Sequence, residues 1–236
     1  MQFDSSDIFN LIRLLSFVSI IVCWYFFRRD FFGPGFQLLE TNKFEEAMEA
    51  FFTQIKKNPK RGNLYFGLGF CYLMKGYFSH ALDNFYKARD VGYNKFNLYA
   101  ALTMTHLEID PQTPGLRSNI EKAKNLNQKS ALESRTSEAD AQQMIAWIHL
   151  KRGEKQDVLA ILSNHCNQWK KDLDRKKQRK STLDAPSFYR MAMLLKLNQQ
   201  QEEALEYFNL TITSAPKSIF AQYAQSEIEK METEKR

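Results

Sequence analysis

The hydrophobic pattern changes character about thirty residues into the 236-residue chain. From Ile8 to Phe27, "IFNLIRLLSFVSIIVCWYFF", nearly every position is apolar or small, whichever face of a helix it falls on. That length and composition predict a helix that crosses a bilayer. Arg13 lies near one end, where a long side chain can snorkel to the headgroups, and Trp24 and Tyr25 lie near the other, where amphipathic rings favour the interface. Asp4, Ser5, Ser6 and Asp7 offer N-caps. The acidic start and the lack of a small-x-small site argue against a cleaved signal peptide. Val22 stands where lipid attachment at Cys23 would need a small residue. Residues 1–29 therefore read as a retained single-pass anchor, with a buried helix of a soluble domain as the weaker alternative. Arg28 and Arg29 follow the span directly, so the positive-inside rule places the remainder in the cytoplasm. A periplasm-like placement, in which the chain assists assembly or quality control of envelope proteins, is the alternative.

From residue 30 to 236 the pattern is one of amphipathic stripes broken at regular intervals. The clearest unit is "GNLYFGLGFCYLMKGYFSHALDNFYKARDVGYNK", Gly62 to Lys95. Tyr65, Leu68, Gly69 and Tyr72 share one helical stripe, Gly76 breaks it, and Ala81, Phe85 and Ala88 form the next. Small residues sit where two antiparallel helices must approach, and aromatic ones fill the gaps. Thirty-four residues earlier, Gly35, Ala47 and Phe51 repeat the spacing, and "KKNP" closes that unit at Pro59. Ala192, Ala204, Phe208 and Pro216 repeat it near the C-terminus. Two weaker units use Tyr99, Leu116, Ile120 and Ala123, with the turn stretched by "DPQTPG", and Ala146, Gly153, Val158 and Leu162. Pro34 is tolerated only in a first turn, so the first helix should start there and be short. The tail after Pro216 is amphipathic and grows charged, as a terminal cap requires.

This spacing resembles the tetratricopeptide repeat, W-x2-L-G-x2-Y, A-x3-F, P. The resemblance implies an all-α chain: an N-terminal transmembrane helix, then an α-solenoid of about five helix pairs and a C-terminal capping helix. It looks like bacterial inner-membrane repeat proteins that hold assembly or regulatory factors at the membrane, though the cysteine-rich metal module of one such group is missing. It also implies a concave groove lined by the first helix of each pair, here Phe32, Phe36, Phe66, Phe70, Leu73, Met104, Leu107, Trp147, Leu150, Tyr189 and Met193. Relatives that clamp a C-terminal carboxylate use Lys, Arg and Asn at such places, and this chain does not. An apolar groove suits a helical or extended hydrophobic segment of a protein partner. Tight winding of the array, or the residues beside the anchor, could instead fill it. A second copy of the chain is a further occupant the sequence leaves open.

Charge alters this picture at one place. The net charge is +6, and "KKDLDRKKQRK", Lys170 to Lys180, sets seven Lys or Arg against two Asp. This insertion, near 170–184, extends the second helix of the fourth unit. Lys170, Lys171, Arg175, Lys176, Lys177, Arg179 and Lys180 are either a solvated helix extension or a contact for anionic lipid. A single segment without aromatics does not make a nucleic-acid face, and none is expected. The cysteines, Cys23, Cys71 and Cys166, form no CxxC pair, and the histidines fall in no catalytic or metal motif. No catalytic residue, metal or cofactor is expected.

Overall fold

The computed structural model describes residues 33–124, 126, 131–177 and 181–234, without the side chains of 131–137, 139, 175 and 176. The proposed anchor and Phe32 lie outside these residues. No helix among the described residues is long and apolar enough to cross a membrane.

The described residues form α-helices joined by short turns: α1 (Pro34–Glu40), α2 (Phe44–Lys57), α3 (Gly62–Met74), α4 (Phe78–Asp90), α5 (Phe96–Ile109), α6 (Leu116–Lys124), α7 (Ala131–Lys151), α8 (Lys155–Lys177), α9 (Ala185–Leu197), α10 (Gln201–Ser214) and α11 (Ile219–Glu234), with a 3-10 turn at Thr182–Asp184. Each helix packs on its neighbours in sequence, so α1/α2, α3/α4, α5/α6, α7/α8 and α9/α10 are antiparallel pairs. The short first helix begins at Pro34, with proline in its first turn as expected.

The turn within a pair is built the same way four times. Asn42, Gly76, Gly153 and Gln199 adopt positive φ, between 60° and 79°. The amide after each bonds back to the carbonyl five residues earlier: Lys43 to Leu38, Tyr77 to Tyr72, Glu154 to His149, Gln200 to Leu195, at 2.9–3.0 Å. This is the Schellman closure, which satisfies the last carbonyls of the first helix and reverses the chain. The stretched turn from Asp110 to Gly115 is held differently. The Arg152 guanidinium donates to the carbonyls of Pro111 at 2.9 Å and Thr113 at 2.8 Å, tying the third pair's turn to the fourth's.

The small residues of the repeat sit at the tightest approaches. A Cβ on Gly67 would lie 2.4 Å from the Phe51 ring, and one on Gly69 would lie 2.7 Å from Phe85. Ala47, Phe51, Ala81, Phe85, Ile120, Val158, Ala192, Ala204 and Phe208 are all buried in one continuous core.

The ends of the array meet. The Thr182 hydroxyl sits between the carbonyls of Glu40, at 3.0 Å, and Ser214, at 3.3 Å. The Asn42 amide donates to the Ser214 carbonyl at 3.3 Å. Gly76 faces the Ile219 side chain, and α11 packs on α3 as well as on α10 and α9. The expected cap is therefore present, but it closes the last pair onto the first two rather than ending an open solenoid.

Candidate functional site

The first helices of the pairs, α1, α3, α5, α7 and α9, carry the predicted groove positions. The structure buries most of them. Of the ten described, Phe66, Phe70, Leu73, Met104, Leu107, Trp147 and Tyr189 are buried, and Phe70, the least covered of these, is only 8% exposed. Phe36, Leu150 and Met193 are half-buried. The covering groups come from the chain itself. Phe66 stacks on Tyr93 at 5.2 Å and lies 5.8 Å from Phe85, while Phe36 meets Phe51 edge-on at 5.0 Å. Tyr189 is ringed by Trp147, Phe208, Phe220 and Tyr223, all at 5.8–6.0 Å. Two of those rings belong to α11, so the C-terminal helix fills the last part of the groove. Among the described residues the expected apolar groove is thus largely filled by the chain itself, the self-filled alternative, which leaves Phe36 and a strip at Leu150 and Met193 half-buried.

That strip has a charged margin. Lys151 follows Trp147 by one turn, and its ammonium lies 5.5 Å from the indole and 2.9 Å from the Glu108 carboxylate. Glu108 is itself almost covered, its side chain 7% exposed. Lys196 bonds Glu227 of α11 at 2.8 Å, and Lys230 bonds the same carboxylate at 2.6 Å. Burial pushes the Glu227 carboxyl up, but the two lysine bonds outweigh it and hold its pKa below the usual value. Burial, followed by nearby carboxylates (Glu108 for both), raises the pKa of the Tyr189 and Tyr223 phenols, so both stay protonated. Glu108, Lys151, Lys196 and Glu227 were not singled out from the sequence. Three adjoin predicted groove positions along a helix face, but Glu227 reaches the strip only through the closure.

Next to Tyr189 in α9 stands Arg190, 5% exposed. Its guanidinium contacts Met104 Sδ at 2.8 Å, Gln143 Oε1 at 3.2 Å and Ser187 Oγ at 3.1 Å, while its Nε has no partner. Burial lowers its pKa to about 10, leaving it charged at neutral pH. It links α9 to α7 and α5.

The other chemically capable groups are occupied by structure. His80 stacks on Tyr72, His165 stacks on Trp169, and His106 bonds the Tyr86 hydroxyl at 2.7 Å. Burial raises the Cys71 thiol to about 12 and also raises that of Cys166, so neither is a ready nucleophile. One described grouping has metal-ligand types: His149, Glu154 and Asp157, with donor atoms within 4.8 Å of one another. His149 Nδ1 already bonds Glu154 across the Schellman turn.

The basic insertion is partly used up inside the molecule. Lys170 pairs with Glu203, and Lys177 pairs with Glu206 at 2.6 Å and Asp174 at 2.9 Å while lying 4.6 Å over the Tyr207 ring. Burial works against the Lys177 charge, but the Glu206 and Asp174 bonds outweigh it and raise its pKa. These two lysines fasten α8 to the acidic flank of α10. Lys171 is exposed, the Arg175 and Lys176 side chains are not described, and Arg179 and Lys180 lie outside the described residues.

No protein-family model and no curated protein matches the chain. Among solved structures it is similar to YrrB, a TPR protein with an unusual peptide-binding site, at 19% identity over 81% of this chain and 88% of that one, TM-score 0.44. It is similar also to MamA, at 18% identity over 78% of this chain and 95% of that one, TM-score 0.44. Neither likeness is close enough to transfer a ligand or partner.

Proposed function

We propose that this protein is a membrane-tethered adaptor of tetratricopeptide type, which holds protein partners close to a bilayer. The observation that carries the docking half is the strip itself. Leu150, Met193 and Tyr223 offer half-buried apolar surface flanked by the Glu108–Lys151 and Lys196–Glu227 pairs. A short amphipathic segment of a partner fits such a strip better than a long hydrophobic one, since the deeper groove positions are already packed. The tethering half rests on residues 8–27, whose uniform apolarity and length suit a single span, with the array on the cytoplasmic side of a bacterial inner membrane.

The test is affinity purification of the full-length chain from membranes. Leu150→Ala with Met193→Ala should lose the partners that the parent retains, while the far-UV circular dichroism stays unchanged. An unchanged partner set would sink the docking site. Alkaline extraction of the parent tests the tether separately: a tethered chain stays with the lipid.

A further inference from the structure

Besides the segment in the 170s, a second basic surface lies at the tip between α2 and α3. The chain from Ala50 to Leu82 has no Asp or Glu, yet carries Lys56, Lys57, Lys60, Arg61 and Lys75. The first three are exposed and have no carboxylate partner among the described residues, unlike Lys170 and Lys177. Basic residues at a helix C-terminus are ordinary, because they offset the helix dipole. That accounts for Lys56 and Lys57. It does not account for Lys60, which lies beyond the helix end.

The tip is also where the chain enters the array. Gly33 abuts Gln54, so closely that a Cβ there would lie 2.8 Å from the Gln54 amide oxygen, and Lys57 is one turn further along the same face. Phe52, one turn before Lys56, is 46% exposed. The next loop adjoins: a Cβ on Gly62 would lie 2.6 Å from Tyr93 Cβ and 3.0 Å from Val91. That loop adds Lys95 and the exposed Val91. The opposite end of α2 is acidic, with Glu45, Glu46 and Glu49.

We propose that this basic, aromatic-bearing tip rests on anionic lipid headgroups, with Lys56, Lys57 and Lys60 at the phosphates and Phe52 in the interface. The proposal rests on the tethering reading: an anchor leaving at Gly33 brings this tip, before any other, to headgroup level. Each lysine there gains from the negative surface potential, and the gain fades with salt over a Debye length. The apolar Phe52 ring suits burial at the headgroup–acyl boundary just beneath. The pairing fixes the orientation of the array on the membrane, basic end of α2 down and acidic end away.

The experiment uses the full chain reconstituted in phosphatidylcholine vesicles with or without headgroup-photoreactive phosphatidylserine, with crosslinked peptides mapped by mass spectrometry. Crosslinks should concentrate in peptides covering residues 52–61, fall several-fold in K56E/K57E/K60E, and fall again with added salt. Circular dichroism and alkaline retention of the variant should match the parent. A retained, folded chain whose crosslinks avoid residues 52–61, or ignore the substitutions, overturns the contact and leaves the tether standing. Release of the parent by alkaline wash overturns the tether and this contact with it.

Discussion

His106 shows how one side chain couples packing to pH. Its Nε2 lies 2.7 Å from the Tyr86 hydroxyl, and burial holds its pKa below the ordinary 6.5. The folded state therefore prefers the neutral ring. As pH falls, the unfolded chain takes up the proton first, so this contribution is full above the unfolded value of about 6.5 and is lost as pH drops through the lower folded value. The denaturant midpoint should fall between about pH 7.5 and pH 5. In His106→Gln, which cannot titrate, that fall should be shallower. An identical slope in parent and variant would show that other groups set it. Arg190 is the contrasting case, a buried cation that stays charged because its usual pKa is so high that even lowering to about 10 leaves it protonated.

Among the elements, the turns explain both what the sequence shows and what it hides. Gly76 and Gly153 announce their turns, since φ values of 79° and 77° are open to glycine without strain. Asn42 and Gln199 fill the same role at φ 60° with less warning: asparagine enters that region readily, while glutamine is held there by the same backbone closure that the glycine turns make. Gln199 carries a strain that glycine would relieve. Gln199→Gly should stabilise the protein by about 1 kcal/mol, seen as a higher midpoint in urea. A lower midpoint would mean the flexibility of glycine in the unfolded chain outweighs the relief. Gly67 makes the reverse case. Gly67→Ala drives a methyl to 2.4 Å from the Phe51 ring, between α3 and α2, and should destabilise by about 1–3 kcal/mol in the same assay. The repeat was legible because such close approaches demand Gly, Ala and Phe at fixed spacing. The state of the groove was not, because Tyr189 is covered in part by α11, outside the repeat that displays it, and Phe66 by Tyr93, a position past the second helix that the repeat spacing does not specify.

At the scale of the molecule, closure separates this array from an open solenoid. In an open array each pair contacts only its neighbours, and the terminal pairs fray independently. Here Thr182 joins segments 142 residues apart through the Glu40 carbonyl, and Asn42 reaches Ser214 across 172. Replacing the hydroxyl by a methyl in Thr182→Val keeps the volume and removes the donor. The expected loss is about 0.5–1.5 kcal/mol for the bond, somewhat more if the Glu40 carbonyl stays buried and unmet. Its distribution is the informative part. If the ends support each other, amide exchange should quicken in α1 and α2 as well as around α10 and α11. The pairs α5/α6 and α7/α8 should change little. Hydrogen–deuterium exchange of the full chain, parent against variant, reads this directly. Faster exchange confined to residues near 182, with α1 and α2 as protected as before, would mean the ends touch without stabilising one another. Coupled loosening would mean that closure, and not the pairwise packing of neighbours alone, helps hold the first and last pairs folded.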